Sequence, residues 1–288
     1  MKNIAVLLTC FNRKVKTIDC LDHLYKAVSL SDNKINVDIY LTDAGHDGTG
    51  DTALAMYPKV NILKVNKDLF WTGGMRNSWT EALKGSYDGF LLLNDDTNVR
   101  GNLFNELFDT HKFCIENYTT PGVYIGSTLD KVTGKLTYGG ARMINKLLNT
   151  YRILEPNGSP QDCDLGNGNI MLVTACTVER IGILSDKYVH GIADYDYTLT
   201  AKRKEIPVLI TANYCGECSR DHADKYSHFK NMNISQRITY LNSPLGFAFP
   251  DQLRYMKRNF PYRLPFVFTA GWFKVLFPGI YVLINKLR

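Results

Sequence analysis

Glycine is missing where a dinucleotide site would need it. The first apolar run of this 288-residue chain, Ile4–Thr9, leads into Cys10-Phe11-Asn12-Arg13 without a glycine. The Gly-x-Gly-x-x-Gly fingerprint and the Walker-type phosphate loop are therefore absent, and nicotinamide, flavin and NTPase chemistry lose their main support. Long hydrophobic runs are missing too. The longest uncharged stretches near the end, Leu264–Phe273 and Val275–Asn285, hold ten and eleven residues, against about 20 for a spanning helix. At the start, Met1-Lys2-Asn3 runs directly into Ile4-Ala5-Val6-Leu7-Leu8, too short for a secretory core. Seven cysteines, an odd number with no repeating framework, predict reduced thiols in a cytoplasmic protein. No internal repeat or low-complexity segment interrupts the chain.

Acidic residues are missing from one region only. Residues 254–288 carry seven basic residues (Arg254, Lys257, Arg258, Arg263, Lys274, Lys286, Arg288) and no acidic one. The net charge of +6 is thus a tail of +7 on a body of −1. A nearly neutral body has no basic coat for a phosphate backbone, which argues against a nucleic-acid partner.

What is present is an ordinary globular composition, 45% hydrophobic and 22% charged, of a length for one large domain plus an extension. The first hundred residues alternate buried-strand and helix patterns: apolar runs at Ile4–Thr9, Val37–Leu41, Val60–Val65 and Gly89–Leu93, with helical spacing over Val15–Leu30. Such runs predict parallel strands with helical crossovers, whose ligand sits beyond the carboxyl strand ends. Those ends carry Asn12, Asp43 and Asp95-Asp96. Further on, Gly122–Leu129, Lys135–Ala141, Asn169–Thr174 and Pro207–Thr211 read as strands. Asn149–Pro160 reads as a loop, Thr177–Ile181 as a short helix and Asp194–Lys204 as another.

Four segments in fixed order then carry a resemblance: Thr9-Cys10-Phe11-Asn12-Arg13, the acidic turn Asp43-Ala44-Gly45-His46-Asp47-Gly48-Thr49, the strand Leu91-Leu92-Leu93 ending in Asn94-Asp95-Asp96, and Gly191-Ile192-Ala193-Asp194 opening a helix. Together they resemble family 2 glycosyltransferases, over roughly residues 3–230. Within that family the glycine-rich Phe70-Trp71-Thr72-Gly73-Gly74-Met75-Arg76-Asn77 is similar to the bacterial polysaccharide and rhamnosyltransferase-like group. The resemblance implies the GT-A fold, a Rossmann-like, mixed and mostly parallel α/β sheet flanked by helices. It implies residues 1–230 as the transferase domain, with 1–100 as the nucleotide-binding half and 101–230 as the acceptor and catalytic half. Residues 231–288 remain as a C-terminal helical extension.

The resemblance also implies an activity: inverting, metal-dependent transfer of a sugar from a UDP- or dTDP-sugar to a hydroxyl of a glycan or lipid-linked acceptor, in bacterial surface polysaccharide synthesis. The nucleotide-sugar would be held by Thr9, Phe11, Asn12, Arg13, Asp43, Trp71, Gly73, Gly74, Arg76, Asn94 and Asp95. Asp43 is suited to base or ribose, or to capping a helix. Phe11 can equally belong to the core, and Trp71 can stack on a sugar or simply pack. Gly73 and Gly74 would admit close approach of a ligand. Asp96 would hold a divalent cation, Mn²⁺ or Mg²⁺, that neutralises the departing diphosphate, with His222 as a further ligand and Arg220 and Lys225 nearby. The usual Asp-x-Asp is here Asn94-Asp95-Asp96, which leaves open whether Asp95 shares the work. Asp194 would be the base that deprotonates the acceptor, and Asp196 the alternative. Two residues apart on a helix, the two point about 200° apart, so only one faces the site.

Competing readings remain. The departures at Asn94 and Ala193 suit a non-catalytic nucleotide- or carbohydrate-binding protein on the same fold. Cys215-x-x-Cys218 with His222 is half a zinc site. A nucleotidyltransferase would need a glycine-rich basic loop after the first strand. In the tail, nine aromatics and the stripe Phe273, Ile280, Leu287 suit a helix lying in the interface of an anionic membrane, placing the protein at the inner face of the cell membrane. The same stripe also suits packing on the body or a homo-oligomer contact.

Overall fold

The computed structural model describes residues 1–66, 69–219 and 229–286. Its first half is a repeated strand–helix unit. β1 (Asn3–Cys10) is followed by α1 (Lys14–Ser29), β2 (Asn36–Asp43) by α2 (Thr49–Met56), β3 (Val60–Lys64) by α3 (Phe70–Ala82), and then comes β4 (Gly89–Leu93). β3, β2, β1 and β4 lie side by side, all parallel. Residues of β1 alternate between two cores, as the two-residue strand period demands. Ala5 and Leu7 join Met75, Trp79 and Phe90 on one face, while Ile4, Val6 and Leu8 join Leu21 and Leu24 of α1 on the other. With both faces covered, the strands read as continuous apolar runs.

The second half extends the same sheet. β5 (Asn98–Val99), α4 (Leu103–Tyr118), β6 (Val123–Leu129) and β7 (Leu136–Tyr138) precede a small second sheet of β8 (Gly140–Asn145), β9 (Thr150–Ile153) and β11 (Leu165–Gly166). β10 (Gln161–Asp162), β12 (Ile170–Thr174), α5 (Ala175–Ile181), α6 (Ala193–Arg203) and β13 (Val208–Glu217) complete the body. The main sheet runs β10-β13-β6-β12-β4-β1-β2-β3. β12 enters antiparallel between β4 and β6, so its start meets the end of β4. The Asn94 amide donates to the Asn169 carbonyl at 3.1 Å. This antiparallel insertion carries the Gly168-Asn169 turn to the acidic strand end.

Two local expectations change. The segment Phe70–Asn77, whose glycines were expected to admit a ligand, is the start of α3. A Cβ on Gly74 would lie 2.0 Å from Thr9 Oγ1, so this glycine lets the helix lie on β1. The expected loop Asn149–Pro160 contains β9, an edge strand of four residues exposed along its length, too short for its Thr-Tyr-Arg-Ile alternation to stand out as a strand.

Beyond residue 229 come α7 (Ile234–Asn242), with a capping box between Asn233 and Gln236, then α8 (Phe249–Asn259), a 3₁₀ turn at Pro261–Arg263, α9 (Leu264–Leu276) and α10 (Pro278–Lys286). Pro278 separates the last two, since it cannot continue a helix. α8 is built into the body: Tyr255, Met256 and Phe260 belong to the same core as Trp79 and Tyr197. No described helix is long and apolar enough to cross a membrane.

Candidate active site

A cleft of about 590 Å³ opens at the carboxyl ends of β1 and β4. Segments that meet there include the end of β1 and the turn after it (Thr9, Phe11, Arg13), the start of α3 (Phe70, Trp71), the residues after β4 (Asn94, Asp95, Asp96), Gly168-Asn169 before β12, and the approach to α6 (His190, Gly191, Asp194). Strand register sets the first and third, since β1 and β4 are parallel neighbours.

The acidic pair is organised by one arginine. Arg13 Nη1 lies 3.2 Å from Asp95 Oδ1, and Nη2 pairs with Asp96 Oδ2. Asp95 is buried and also accepts from Thr17 Oγ1 at 3.1 Å. Burial pushes its carboxyl up to about 7, with the Asp96 charge adding and Arg13 opposing. Asp96 is the more open of the two and has the Cys218 thiol 3.9 Å away. Asn94 accepts from the Trp71 indole N–H at 2.7 Å, so the amide at this position fixes the indole at the edge of the cleft.

Asp194 stands in the first turn of α6. Its Oδ2 accepts from the Gly168 amide at 2.9 Å and its Oδ1 from the Tyr195 amide at 2.8 Å. The surrounding protein raises its pKa above the usual carboxylate range, and these amide contacts offset only part of that burial effect. The turn before it is unusual. Gly191 and the β-branched Ile192 both take positive φ, 64° and 56°, and non-glycine residues rarely adopt this conformation except where surrounding structure imposes it. Asp196 points elsewhere: its carboxylate meets Arg258 Nη1 at 3.2 Å and Asn259 Nδ2 at 2.8 Å on α8. Ala193 is buried in the core, so a carboxylate there would not reach the cleft.

Of the residues singled out from the sequence, Thr9, Phe11, Arg13, Trp71, Asn94, Asp95, Asp96 and Asp194 line this cleft. Asn12, Asp43, Gly73, Gly74 and Arg76 do not. Asp43 is buried and accepts from the amides of Gly45 (3.0 Å) and Gly50 (2.8 Å) and from the Cys10 thiol. It closes its own turn and the start of α2. Asn12, at φ 51°, accepts from the His46 amide at 2.7 Å and ties the same turn to β1. Gly73 is crowded by Leu69, and Arg76 donates to the Leu184 carbonyl. His222, Arg220 and Lys225 lie outside the described residues. Cys215 is in the core beside Thr211, whereas Cys218 faces the cleft, so the two thiols do not converge as a zinc half-site requires.

The cleft also contains residues that the sequence did not single out. His190 sets its ring edge-on to Phe70, with centroids 6.1 Å apart, and its Nδ1 accepts from the Trp71 amide at 3.4 Å. Its place four residues before Asp194 was the available signal. Tyr138 and Leu245 come from β7 and the α7–α8 turn, with no local pattern to mark them. Asp251 of α8 is outside the cleft but shapes it. It is buried, and its Oδ2 accepts from the amides of Val189 (2.9 Å) and His190 (3.1 Å) while Arg254 holds Oδ1 at 3.1 Å.

The sequence matches no protein-family model and no curated protein. The coordinates do have solved counterparts. A structure of residues 1–349 of S. aureus TarS in complex with UDP-GlcNAc matches at TM-score 0.52 and 12% identity, over 91% of this chain and 73% of that one. GalNAc-T7 with UDP, GalNAc and Mn²⁺ matches at TM-score 0.56 and 11% identity, over 75% of this chain and 43% of that one. The fold is GT-A. At such identities the likeness concerns architecture, a mainly parallel central sheet flanked by helices.

Proposed function

We propose that the protein is an inverting glycosyltransferase. It moves a sugar from a UDP- or dTDP-sugar to a hydroxyl of a glycan or lipid-linked acceptor, in assembling a bacterial surface polysaccharide at the inner face of the cell membrane. The observation that carries this reading is the pairing, within one cleft, of two separate acidic stations, Asp95-Asp96 on β4 and Asp194 on α6. Inverting transfer needs two such stations, one at the departing diphosphate and one at the attacking hydroxyl. A carboxylate in a cleft whose ionisation is made costly by burial is a candidate acid–base group.

The roles follow from placement. Phe11, half exposed beside the end of β1, offers a face for the nucleobase. Arg13 brings positive charge to the diphosphate, and Trp71, fixed by Asn94, borders the sugar. Asp194 takes the proton of the acceptor hydroxyl as its oxygen attacks the anomeric carbon. The bond from that carbon to the diphosphate breaks on the opposite face, and the nucleoside diphosphate leaves with the electron pair. A raised Asp194 pKa makes it a stronger base than an ordinary carboxylate.

The chemistry of Asp96 fits a divalent cation. No group of three metal-ligating side chains occurs among the described residues, but Mg²⁺-type sites are built from one or two carboxylates completed by substrate phosphates. Asp96 would hold the ion, with His222 as the second protein ligand. When bound, the ion neutralises charge on the leaving diphosphate. Of the two solved counterparts, one was crystallised with Mn²⁺ and both with uridine nucleotides, which favours a UDP-sugar as the first donor to test.

The test is a panel of nucleotide sugars with Mn²⁺ or Mg²⁺, read by thermal shift and by release of nucleoside diphosphate. At least one donor should raise the melting temperature by mass action and be turned over. Binding without release in the presence of any acceptor would move the protein to the non-catalytic class. Failure of every nucleotide sugar to bind would end the reading.

A further inference from the structure

The sequence places its apolar, basic character in the C-terminal tail, but the structure adds a second segment to it. The tip of the β8–β9 hairpin projects Ile144, Leu147 and Leu148 into solvent, the last two 67% and 59% exposed. The hairpin is joined to the extension by hydrogen bonds. Tyr262 Oη donates to the Lys146 carbonyl at 2.7 Å and Arg263 Nη1 to the Leu147 carbonyl at 3.4 Å. The same Arg263 guanidinium lies 5.4 Å from the centre of the Phe266 ring, itself 65% exposed. Leu147, Arg263 and Phe266 therefore form a continuous strip from hairpin to helix.

α9 is apolar on both sides. One side, with Gly271 and Val275, is covered by the chain, and a Cβ on Gly271 would strike the Phe249 ring at 2.3 Å. The other side exposes Phe266, Trp272, Phe273 and Leu276, followed by Ile280 and Leu283 on α10. A helix apolar all round normally has both sides covered, and an exposed patch of this kind marks an interaction surface.

Charge identifies the partner. No acidic residue occurs between Lys131 and Leu154, which include five basic ones, nor after Asp251. Some of these charges are used inside the protein. Arg254 and Arg258 pair with Asp251 and Asp196, and Lys274 lies over the Phe247 and Tyr281 rings. Lys146, next to Leu147 at the hairpin tip, is exposed, Arg263 sits over the Phe266 ring, and Arg152 and Lys257 are exposed as well. At 13 residues, α9 is about 20 Å long, too short to span a bilayer and suited to lying in its surface.

We infer that the β8–β9 hairpin tip and the outer faces of α9 and α10 form one docking surface for an anionic lipid membrane. The surface lies beside the acceptor station. Tyr151 of the hairpin contacts the ring of Tyr195, centroids 6.1 Å apart, and Tyr195 follows Asp194. Its purpose, presenting a lipid-linked hydroxyl to Asp194, rests on the proposed transfer. Vesicle binding needs neither donor nor turnover, so the two readings can fail separately.

The experiment is flotation of the full chain with vesicles of pure phosphatidylcholine and with vesicles about one-third phosphatidylglycerol, at physiological salt, for the wild type, L147E/L148E and W272E/F273E. The substituted side chains are outside the core, and circular dichroism and melting temperature check folding. The surface predicts binding at least about tenfold tighter to the anionic vesicles, weakened by salt, and at least about tenfold loss in each variant. Wild-type protein that ignores anionic vesicles overturns the inference, as does L147E/L148E binding like the wild type. A concentration-dependent dimer that these substitutions dissociate, with vesicles left unbound, would assign the surface to a second copy instead.

Discussion

Two of the parallel strands lead to aspartates, β2 ending in Asp43 and β4 running on into Asp95-Asp96, and the two ends are held differently. At the end of β2, Asp43 has its oxygens taken up by amides within seven residues, those of Gly45 and Gly50. At the end of β4, Asp95 and Asp96 make no such local closure. They are met by Arg13 and Thr17, some eighty residues away, and Asp95, Asp96 and Arg13 all line the cleft. The position at a strand end is the same. What separates them is whether the following residues supply amides to the carboxylate, and on the proposed function that divides architecture from chemistry. The turn after β2 contains Gly45, Gly48 and Gly50, tight enough to fold amides back onto Asp43. Asp95-Asp96 runs on into Thr97 and β5 and leaves its charge for other groups.

Substitutions can break or sharpen this contrast. The largest effect is expected at β4. Asp96→Asn should lower transfer about 100- to 1000-fold, the usual cost of removing one group that stabilises charge in the transition state, with little change in melting temperature. Steady-state rates and a thermal melt check both halves. Gly74→Ala tests the packing beneath the cleft. Its Cβ would clash with Thr9, and denaturant unfolding should show a loss of about 3 kcal/mol, at the upper end for overpacking. Asp43→Asn should behave as the reverse of Asp96→Asn. Losing acceptor capacity toward Gly45 or Gly50 should cost about 1–3 kcal/mol of stability, while the folded fraction turns over within about twofold of wild type. A large activity loss at Asp43 with unchanged stability would erase the distinction.

The smallest effect is in pH dependence. As the proposed base, Asp194 would act only when ionised, and its pKa is raised by burial. Its rate limb should therefore fall as pH drops through a value above the ordinary carboxylate range near 4. A pH–kcat profile flat down to that range would show that no raised carboxylate governs the chemistry.

Much of the framework was legible because it is local. β1 to β4 announce themselves as apolar runs, and the helical spacing of residues 15–30 marks α1. The cleft residues from those strand ends follow directly from parallel topology. The rest depends on distant partners. Nothing in the sequence near Gly73 and Gly74 says that Thr9 will sit under a helix there. Helical geometry predicts that only one of Asp194 and Asp196 faces the cleft. Which one is decided by Arg258 and Asn259, sixty residues on, which hold Asp196 against α8. His190 and its support, Asp251, are likewise joined only by the fold, and the hairpin that completes the apolar surface has no acidic residue and no burial pattern to mark it. The tail's charge, read from the sequence as one property, divides in the structure: Arg254 and Arg258 pair with Asp251 and Asp196, Lys274 lies over two aromatic rings, and Lys257 is exposed.

The central claim is that Asp194 and the acidic end of β4 serve the two halves of one transfer. It is tested most directly by Asp194→Asn, with donor affinity measured by calorimetry and transfer by nucleoside diphosphate release. The account predicts donor affinity within about twofold of wild type and transfer reduced by about 100-fold or more, the range expected for removing a positioned base. Transfer at the wild-type rate, or donor affinity lost together with transfer, would contradict it.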